Sequence, residues 1–288
     1  MVEFNNKLVS IAIITWNRRE YVLRAIKSIY DQPYRPIEIV VVDSNSSDGT
    51  VEAIRNAFPD VKIIRLHRNM GCPEGRNIAL ANCSGDIIFS LDDDAWLDFS
   101  TLELCVRKFQ EEENLGVIAC RILDPNEETK DAKKECYTIS FSGGAFVIKK
   151  EVLNKAGYFP SDFFRQAEEG DLVLRILDKG YNILYYPKAI VYHEKAPINR
   201  NNKLFMYYGC RNELYTVIRR YPIFLVPLAI FWKILVWNLA GIKNKAIHYT
   251  LFATISALVR FPILLWERKP VSLKTVKRIM NHKFSDKC

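Results

Sequence analysis

The sequence predicts an α/β fold, with a mainly parallel sheet, helices on both of its faces, and a C-terminal helical appendage that is apolar and basic. Over residues 8–186, short runs of apolar and β-branched residues alternate with helical stripes, and their connections are short. The last quarter differs, because residues 222–242 and 246–266 are mostly apolar and the remainder is basic and polar. We therefore expect one large domain over 1–220 and a second segment over 221–288.

The first half of the chain shows the βαβ pattern that builds a parallel sheet. Its predicted strands are rich in Val and Ile and too short to be helices, whereas the first predicted helix has an apolar stripe of Val22, Ala25, Ile26 and Ile29. Strands that are joined by helices through short connections pair in parallel. In chain order, these elements are strand 8–14, helix 18–30, strand 37–42, helix 49–57, strand 61–66, helix 73–82 and strand 87–91.

The second half of this domain continues with less regular elements. A stretch rich in Asp, Lys and Glu over 124–136 is typical of a surface loop. The elements predicted around it are helix 100–113, strand 116–120, strand 143–148, helices near 150–155 and 169–180, and strands over 181–186 and 189–192.

Length and composition indicate a folded chain. Its 288 residues, 49% hydrophobic and 26% charged, can bury a substantial core. The net charge of +8 is unevenly placed, since residues 221–288 hold eleven Lys or Arg against two Asp or Glu. Such asymmetry indicates nucleic acid or an anionic membrane surface as the partner of this segment. Its long apolar runs are unlike a solvated basic patch, so we expect no nucleic acid.

The seven cysteines form no CxxC pair and are odd in number, so their spacing predicts neither a zinc site nor a disulfide framework. Scattered reduced thiols favour an intracellular compartment. Residues 1–7 lack the basic start and apolar core of a signal peptide. We therefore expect the first domain to be cytosolic.

Three consecutive acids, Asp92, Asp93 and Asp94, directly follow the predicted strand 87–91. The carboxyl edge of an open α/β sheet is where ligands bind. Three adjacent like charges repel one another, and a divalent cation with its phosphates would balance them, because hard cations take oxygen ligands. The alternative is a solvated acidic turn.

Two further loops carry groups that suit a nucleotide. Asp43 emerges from an apolar strand, where it could accept hydrogen bonds from the N–H groups of a flat base. The turn 69–77 runs into a helix, whose positive N-terminus and the forked guanidinium of Arg76 suit a phosphate. No GxGxxG follows the first strand, which argues against NAD or FAD. Asp48 is explained by capping of the following helix.

A third set of polar groups lies near the end of the domain. Glu168, Glu169 and Asp171 begin a helical run, where the helix dipole favours acids and where a carboxylate could also act as a general base. His193 follows a strand-like run. A lone histidine is most often structural, although a neutral imidazole near three carboxylates could complete a metal shell.

Taken in order, these motifs resemble the family-2 glycosyltransferases, which have the Rossmann-like GT-A fold. The resemblance covers residues 8 to about 215, and its motifs are spaced in the family order. They lie at 13–18, 42–50, 69–71 with 75–77, 91–94, 142–145, 168–172 and 211–212.

The resemblance implies which side chains bind the donor and a metal. The triple acid resembles the family's DxD element, with Asp92 at the ribose and the metal, and Asp94 on the metal that holds the diphosphate. Because Asp93 is also acidic, the register could shift by one, and Asp93 is included among the donor-binding residues. His193 matches a position that binds metal in some relatives only. The other nucleotide-sugar-binding residues that the resemblance implies are Thr15, Asn17, Asp43 and Arg76.

The same resemblance implies an inverting transfer with Glu169 as the base, Glu168 as the second candidate and Asp171 as a helix-capping group. Glu169 stands where the family usually has Asp, which keeps the carboxylate and lengthens its reach. It would take a proton from an acceptor hydroxyl as that oxygen attacks the anomeric carbon of a nucleotide-diphospho-sugar. Mn²⁺ or Mg²⁺ would stabilise the departing nucleoside diphosphate.

The implied activity is that of a metal-dependent hexosyl- or deoxyhexosyltransferase. It would act on a glycan or lipid-linked acceptor in the synthesis of a cell-surface polysaccharide or glycoconjugate. The alternative is a catalytically silent protein that binds a nucleotide sugar or a glycan within a polysaccharide assembly complex.

The apolar tail segments indicate contact with a membrane. Residues 222–242 are long enough to span a bilayer but carry Lys233 near the middle, and residues 246–266 carry His248 and Arg260. A spanning hairpin would also place the lysines of its short loop outside. Tryptophans and many basic residues fit helices that lie in the interface on anionic lipid. We expect peripheral, interfacial or re-entrant binding at the cytoplasmic face of the cell membrane; spanning and a soluble helical cap or dimer face are the alternatives.

Overall fold

The computed structural model describes residues 7–126, 134–194 and 202–284. Residues 1–6 and part of the expected loop 124–136 lie outside these ranges. The strands are β1 Val9–Thr15, β2 Ile37–Asp43, β3 Lys62–Arg65, β4 Ile87–Asp92, β5 Ala95–Leu97, β6 Leu115–Leu123, β7 Cys136–Tyr137, β8 Ala145–Lys149 and β9 Asn182–His193. The helices are α1 Arg19–Tyr30, α2 Thr50–Ala57, α3 Cys72–Ala81, α4 Thr101–Glu111, α5 Lys150–Ala156, α6 Glu168–Asp178, α7 Asn202–Arg220, α8 Val226–Lys243, α9 Ile247–Val259, α10 Phe261–Trp266 and α11 Leu273–Phe284, with a 3-10 turn at Ile223–Leu225.

The strands of the described residues form one sheet in the order β3-β2-β1-β4-β8-β6-β9-β5, and β7 also pairs with β9. The first four of these strands pair in parallel, and β6 pairs in parallel with β9. β8 runs antiparallel to both β4 and β6, and the short β5 and β7 run antiparallel to β9. The predicted α/β sheet is therefore confirmed, and it is mixed: four of the eight pairings among the described strands are parallel and four are antiparallel.

Helices cover both faces of the sheet, as predicted. Ile11 and Ile13 of β1 pack in a buried cluster with residues of α1, α2 and α4. Ala12 of the same strand points to the other face, where it packs with residues of α3, α5 and α6. Because both faces are buried, the strands read as continuous apolar runs rather than as alternating ones.

Two differences from the predicted elements bring His193 close to the acid cluster. β9 is a single strand where the sequence predicts two runs, because its pairing with β6 shifts register after Cys120 and the extra residues bulge. β5 follows the acid cluster directly and pairs Ala95 with His193. A strand of three residues is too short to show a period of two in the sequence.

The cysteines differ in part from the prediction. Five described cysteines are free thiols. Burial raises the pKa of Cys83 and of Cys210 to about 12, which keeps these thiols protonated. Cys136, however, is disulfide-bonded, so the expectation of uniformly reduced thiols is wrong at this position. Spacing along the chain carries no information on a pairing that the fold creates.

Residues after the sheet domain build a third apolar cluster. α7, α8, α9 and α10 contribute to it, together with Phe163 from the loop that precedes α6. The predicted apolar segment 246–266 is divided, because α9 ends at Val259 and α10 begins at Phe261 with a proline in its first turn. The tail is therefore a compact set of helices packed on α7.

α11 returns to the sheet domain. Val276 and Ile279 join the buried cluster on the α6 face of the sheet. Asp178, at the end of α6, accepts hydrogen bonds from the Ser272 amide and the Thr275 hydroxyl, each at 2.8 Å. These contacts cross the expected domain boundary, which stays a prediction.

One described helical segment, Ile223–Lys243, is long and apolar enough to cross a membrane by length and composition. Its apolar side chains are largely exposed; Phe231 and Trp232 expose 66% and 61% of their surface. α9 and α10 add further exposed apolar side chains, including Trp266 at 89%. We call the exposed apolar side chains of α8, α9 and α10 the tail face.

Candidate active site

Parallel register brings three strand ends together at one edge of the sheet. Thr15 of β1 lies beside Asp43 of β2, and Ile14 lies beside Asp92 of β4. Polar residues at the ends of neighbouring parallel strands therefore meet, as the predicted topology requires. The predicted nucleotide-binding and metal-binding residues of these strands share this edge.

Asp43 is fully buried at the end of β2. Its Oδ2 accepts a hydrogen bond from the Ser46 amide at 2.9 Å and lies 3.8 Å from Nε of Arg65. Its Oδ1 has no hydrogen-bond partner within the described part of the chain. Because an unsatisfied buried carboxylate oxygen is costly, this atom can accept a donor group from a ligand.

Asn17 and Asp48 brace the loops around Asp43. The Asn17 amide donates to Ser46 Oγ at 2.8 Å, and its side-chain Oδ1 accepts from the Ser47 amide at 2.8 Å. Asp48 accepts hydrogen bonds from the first amides of α1 and α2, at 3.2 and 3.1 Å, so it serves two helices. The contact of Asn17 with a nucleotide stays a prediction, since these bonds use its side chain within the protein.

Arg76 is buried near the start of α3 and joins three parts of the site. Its Nη1 donates to Ser90 Oγ at 2.7 Å and to the Gly143 carbonyl. Its Nη2 donates to Asp92 Oδ1 at 2.9 Å and contacts Cys72 Sγ at 3.4 Å. The predicted contact of Arg76 with the nucleotide is not tested by these bonds, which fix the carboxylate of Asp92.

Asp92, Asp94 and His193 form a group that suits a metal ion. One ligand atom from each of them lies within 4.8 Å of the others, and His193 Nε2 is 2.9 Å from Asp94 Oδ1. Two carboxylates and an imidazole suit Mn²⁺, and the carboxylates also suit Mg²⁺. A Cβ at Gly144 would overlap the Asp92 carboxylate, so this arrangement requires glycine there.

Asp93 has a different partner. Its Oδ1 accepts from Arg18 Nη1 at 2.8 Å, and the same nitrogen lies 3.1 Å from Asp94 Oδ2. Burial raises the pKa of Asp93 to about 6; the Arg18 charge opposes this rise and the Asp94 charge adds to it. No role of Arg18 follows from the sequence, because only the fold shows which acids its guanidinium contacts.

α6 begins with the two carboxylates predicted to act as a base. Glu169 Oε1 accepts a hydrogen bond from the Gly143 amide at 2.9 Å. Glu168 is buried, and its Oε2 has no partner among the residues described. Burial, followed by the charge of Glu169, raises the pKa of Glu168 to about 8, and burial also raises the pKa of Glu169. When this pair of carboxylates holds one proton, the proton is on Glu168, because the Gly143 N–H stabilises the charged carboxylate of Glu169.

Asp171 is not a helix cap, contrary to the prediction. The start of α6 has no side-chain capping hydrogen bond. Asp171 is fully buried and accepts from Arg175 Nε at 2.7 Å and from Arg220 Nε at 2.6 Å. Because two guanidiniums share its carboxylate, Asp171 balances buried charge between α6 and α7.

The fold is that of the GT-A glycosyltransferases. TarS 1-349 of S. aureus, solved with UDP-GlcNAc, is similar with a TM-score of 0.64 and 19% identity, covering 90% of this chain and 81% of that chain. The mannosyltransferase PcManGT of Pyrobaculum calidifontis, solved with GDP-Man and Mn²⁺, has a TM-score of 0.59 and 19% identity, covering 98% and 81%. These likenesses show the fold.

Sequence comparison shows the family. The model of glycosyl transferase family 2 matches residues 10–168, more than half of the chain, so the chain belongs to this family. The GalNAc(5)-diNAcBac-PP-undecaprenol beta-1,3-glucosyltransferase of Campylobacter jejuni is 28% identical over 172 residues, which cover 54% of this chain and 56% of the relative. Chondroitin synthase of Escherichia coli is 30% identical over 113 residues, covering 38% and 16%. The match thus spans about half of the first relative and less of the second.

Proposed function

We propose that this chain is an inverting, metal-dependent glycosyltransferase that moves a hexosyl or deoxyhexosyl group from a nucleotide-diphospho-sugar to a hydroxyl of a glycan or lipid-linked acceptor. Its product would enter cell-surface polysaccharide or glycoconjugate synthesis. One observation carries the proposal: the metal group and the carboxylates of α6 are joined through two residues. Arg76 donates to Asp92 and to the Gly143 carbonyl, while the Gly143 amide donates to Glu169. The proposed site of the leaving group and the proposed base are therefore adjacent.

The nucleotide of the donor fits the edge formed by β1 and β2. Oδ1 of Asp43, buried and without a partner in the described structure, can accept a hydrogen bond from a base N–H. Thr15 lies beside it in register, and the side chain of Asn17 binds the loop that follows Asp43. Structures of this fold are solved with UDP-GlcNAc and with GDP-Man, and both bases carry N–H groups.

The diphosphate of the donor belongs at the metal group, where Asp92, Asp94 and His193 would hold Mn²⁺ or Mg²⁺. Such a cation neutralises the charge that develops on a departing nucleoside diphosphate. Arg18 offsets part of the acid charge, since it lies between Asp93 and Asp94. Asp94 rather than Asp93 is the proposed metal ligand, because Arg18 contacts both acids but only Asp94 lies next to the imidazole of His193 and within reach of Asp92.

Glu169 is the proposed base, and Glu168 holds a proton beside it. With a pKa raised to about 8, Glu168 is neutral at pH 7, which avoids two adjacent negative charges. Glu169 takes the proton of the acceptor hydroxyl as the hydroxyl oxygen bonds to the anomeric carbon. The bond from that carbon to the diphosphate oxygen breaks, and its electron pair leaves with the nucleoside diphosphate. Attack opposite the leaving group inverts the anomeric configuration.

We further propose that the tail face binds the cytoplasmic face of an anionic membrane. Two basic side chains within the tail segments would oppose contact with lipid, but both form ion pairs within the protein. Lys233 Nζ lies 2.5 Å from Glu213 Oε2, and Arg260 Nη2 lies 3.3 Å from Asp162 Oδ2. Exposed tryptophans such as Trp266 suit the interfacial region. Because α8, α9 and α10 pack on α7, interfacial or re-entrant contact fits this arrangement better than spanning.

Turnover of nucleotide sugars with Mn²⁺ or Mg²⁺ tests the enzymatic proposal, after thermal stabilisation by a panel of nucleotide sugars has selected the donor. Asp94→Ala should remove metal-dependent turnover. Glu169→Gln should lower kcat by about 10²- to 10⁴-fold and keep donor binding. Glu52→Gln, on the exposed side of α2, is the matched control and should change neither.

Two outcomes contradict parts of this proposal. Turnover that survives Asp94→Ala would show that the metal assignment is wrong. If the wild-type protein binds the selected donor but shows no turnover, the alternative of a catalytically silent nucleotide-sugar-binding protein would be favoured.

Flotation with liposomes that contain anionic lipid tests the tail face in the full chain. Phe231→Glu should lower the bound fraction, because it places a charge on the tail face. Phe99→Glu is the matched control, since Phe99 is equally exposed at 66% and lies on the sheet domain. Equal flotation of the two variants would remove the membrane proposal.

A further inference from the structure

Asn212, buried in the middle of α7, reaches the loop that precedes the two carboxylates of α6. Its Nδ2 donates to the Arg165 carbonyl at 2.8 Å and to the Gln166 carbonyl at 2.7 Å. Its Oδ1 accepts from Arg211 Nε at 2.9 Å. Both donors and the acceptor of this amide are therefore used, and its orientation is fixed.

The loop enters α6 through two consecutive residues in the left-handed region. Gln166 has φ 68° and Ala167 has φ 63°, and neither is glycine. A side chain makes this conformation unfavourable, so two such residues in succession persist only where other contacts hold them. Asn212 binds the carbonyls of the two peptide bonds that flank Gln166, and Glu168 follows directly.

We infer that Asn212 is a positioning residue for the carboxylates of Glu168 and Glu169. Asn212 stabilises the left-handed backbone of the two residues before α6. It thereby sets the direction in which the first turn of α6 presents both side chains. The far end of the loop is anchored independently, because Arg219 donates to both oxygens of Asp162 at 2.9 Å. Loss of Asn212 should therefore release the α6 end of the loop alone. This inference rests on the proposed function.

The test compares Asn212→Ala with the double variant Asn212→Ala/Ala167→Gly in the full chain. We expect Asn212→Ala to lower kcat about 100-fold, the size of a misplacement of about 1 Å, with the Kd for the nucleoside diphosphate changed less than about twofold. Glycine adopts left-handed backbone without the Cβ penalty, so the double variant should recover about tenfold of kcat without regaining a hydrogen bond. Asn82→Ala, which removes an amide that donates to the Ile78 carbonyl at 2.9 Å, is the control with unchanged kcat.

Three results would overturn the inference: equal losses of kcat and of nucleoside-diphosphate affinity, no recovery with glycine, or wild-type kcat in Asn212→Ala. Asn212→Asp keeps the side-chain shape without the N–H donors, and it replaces Asn212→Ala if the alanine variant does not fold.

Hydrogen exchange at the amides of residues 166–171 gives a readout that needs no turnover. It should be faster in Asn212→Ala and slower again in the double variant. A wild-type protein without turnover would refute the proposed function, and exchange alone would then decide the role of Asn212. Equal exchange in the three proteins would overturn that role.

Discussion

The buried carboxyl group of Glu168 makes the stability of this protein depend on pH, and a single substitution should remove the contribution of this group. Its pKa rises from 4.5 to about 8 in the folded protein, first because of burial and then because of the Glu169 charge. Between these values the folded state holds a proton that the unfolded chain has released. The stability from this carboxyl group is fully present below pH 4.5 and is lost as the pH rises through about 8.

The structure sets the size of this effect. One pKa unit corresponds to about 1.4 kcal/mol, so the loss amounts to about 5 kcal/mol above pH 8 and about 3 kcal/mol at pH 7. In Glu168→Gln a neutral amide of the same size replaces the carboxyl group at every pH. We expect the variant to match the wild type near pH 4.5 and to exceed its free energy of unfolding by several kcal/mol, about 5 at most, at pH 8.

Urea denaturation in metal-free buffer, from about pH 4.5 to about pH 9, measures the free energy of unfolding of both proteins. Tryptophan fluorescence can follow the transition, since the chain has five tryptophans. Glu52→Gln, on the exposed side of α2, is the control and should follow the wild type at every pH. Wild-type and Glu168→Gln curves that stay parallel over this range would refute the raised pKa.

Three further substitutions test the site and its support. Gly144→Ala places a Cβ against the Asp92 carboxylate, so the affinity for Mn²⁺ measured by calorimetry should fall about tenfold or more. Gly170→Ala is the control, since its Cβ would meet no atom, and it should leave the affinity for Mn²⁺ unchanged. Arg220→Met leaves the buried Asp171 with a single guanidinium, and the free energy of unfolding should fall by about 3 kcal/mol; an unchanged urea midpoint would contradict the ion-pair role. Asp43→Asn should weaken nucleoside-diphosphate binding about tenfold without loss of stability, and unchanged affinity would exclude the base contact.

Local pattern was sufficient to predict much of the sheet and its polar edge. Asp43 and the acids at 92–94 follow apolar runs directly, and parallel topology brings such strand ends to one edge. His193 depends on more than pattern. A register shift within β9 and a three-residue strand decide that it reaches Asp94, and neither has a signature in the sequence.

Residues whose roles depend on distant partners were not predictable in this way. Asp171 has the sequence context of an acid at a helix start, but its second guanidinium partner, Arg220, lies 49 residues later. Arg18 and Asn212 lie within the motifs that resemble the family, but no role for either follows from the sequence, because their hydrogen bonds reach other elements. Contacts with distant parts of the chain, rather than helix or strand propensity, determine the roles of these residues.

The return of α11 to the sheet domain means that the tail cannot be trimmed as an independent module. A chain that ended after α7 would lose Val271, Val276 and Ile279 from the buried cluster that also contains residues of α6. Each such apolar side chain contributes about 1.5–3 kcal/mol, so the three together approach the entire stability margin of an ordinary domain. Soluble versions of this protein are therefore better sought by polar substitutions on the tail face than by truncation.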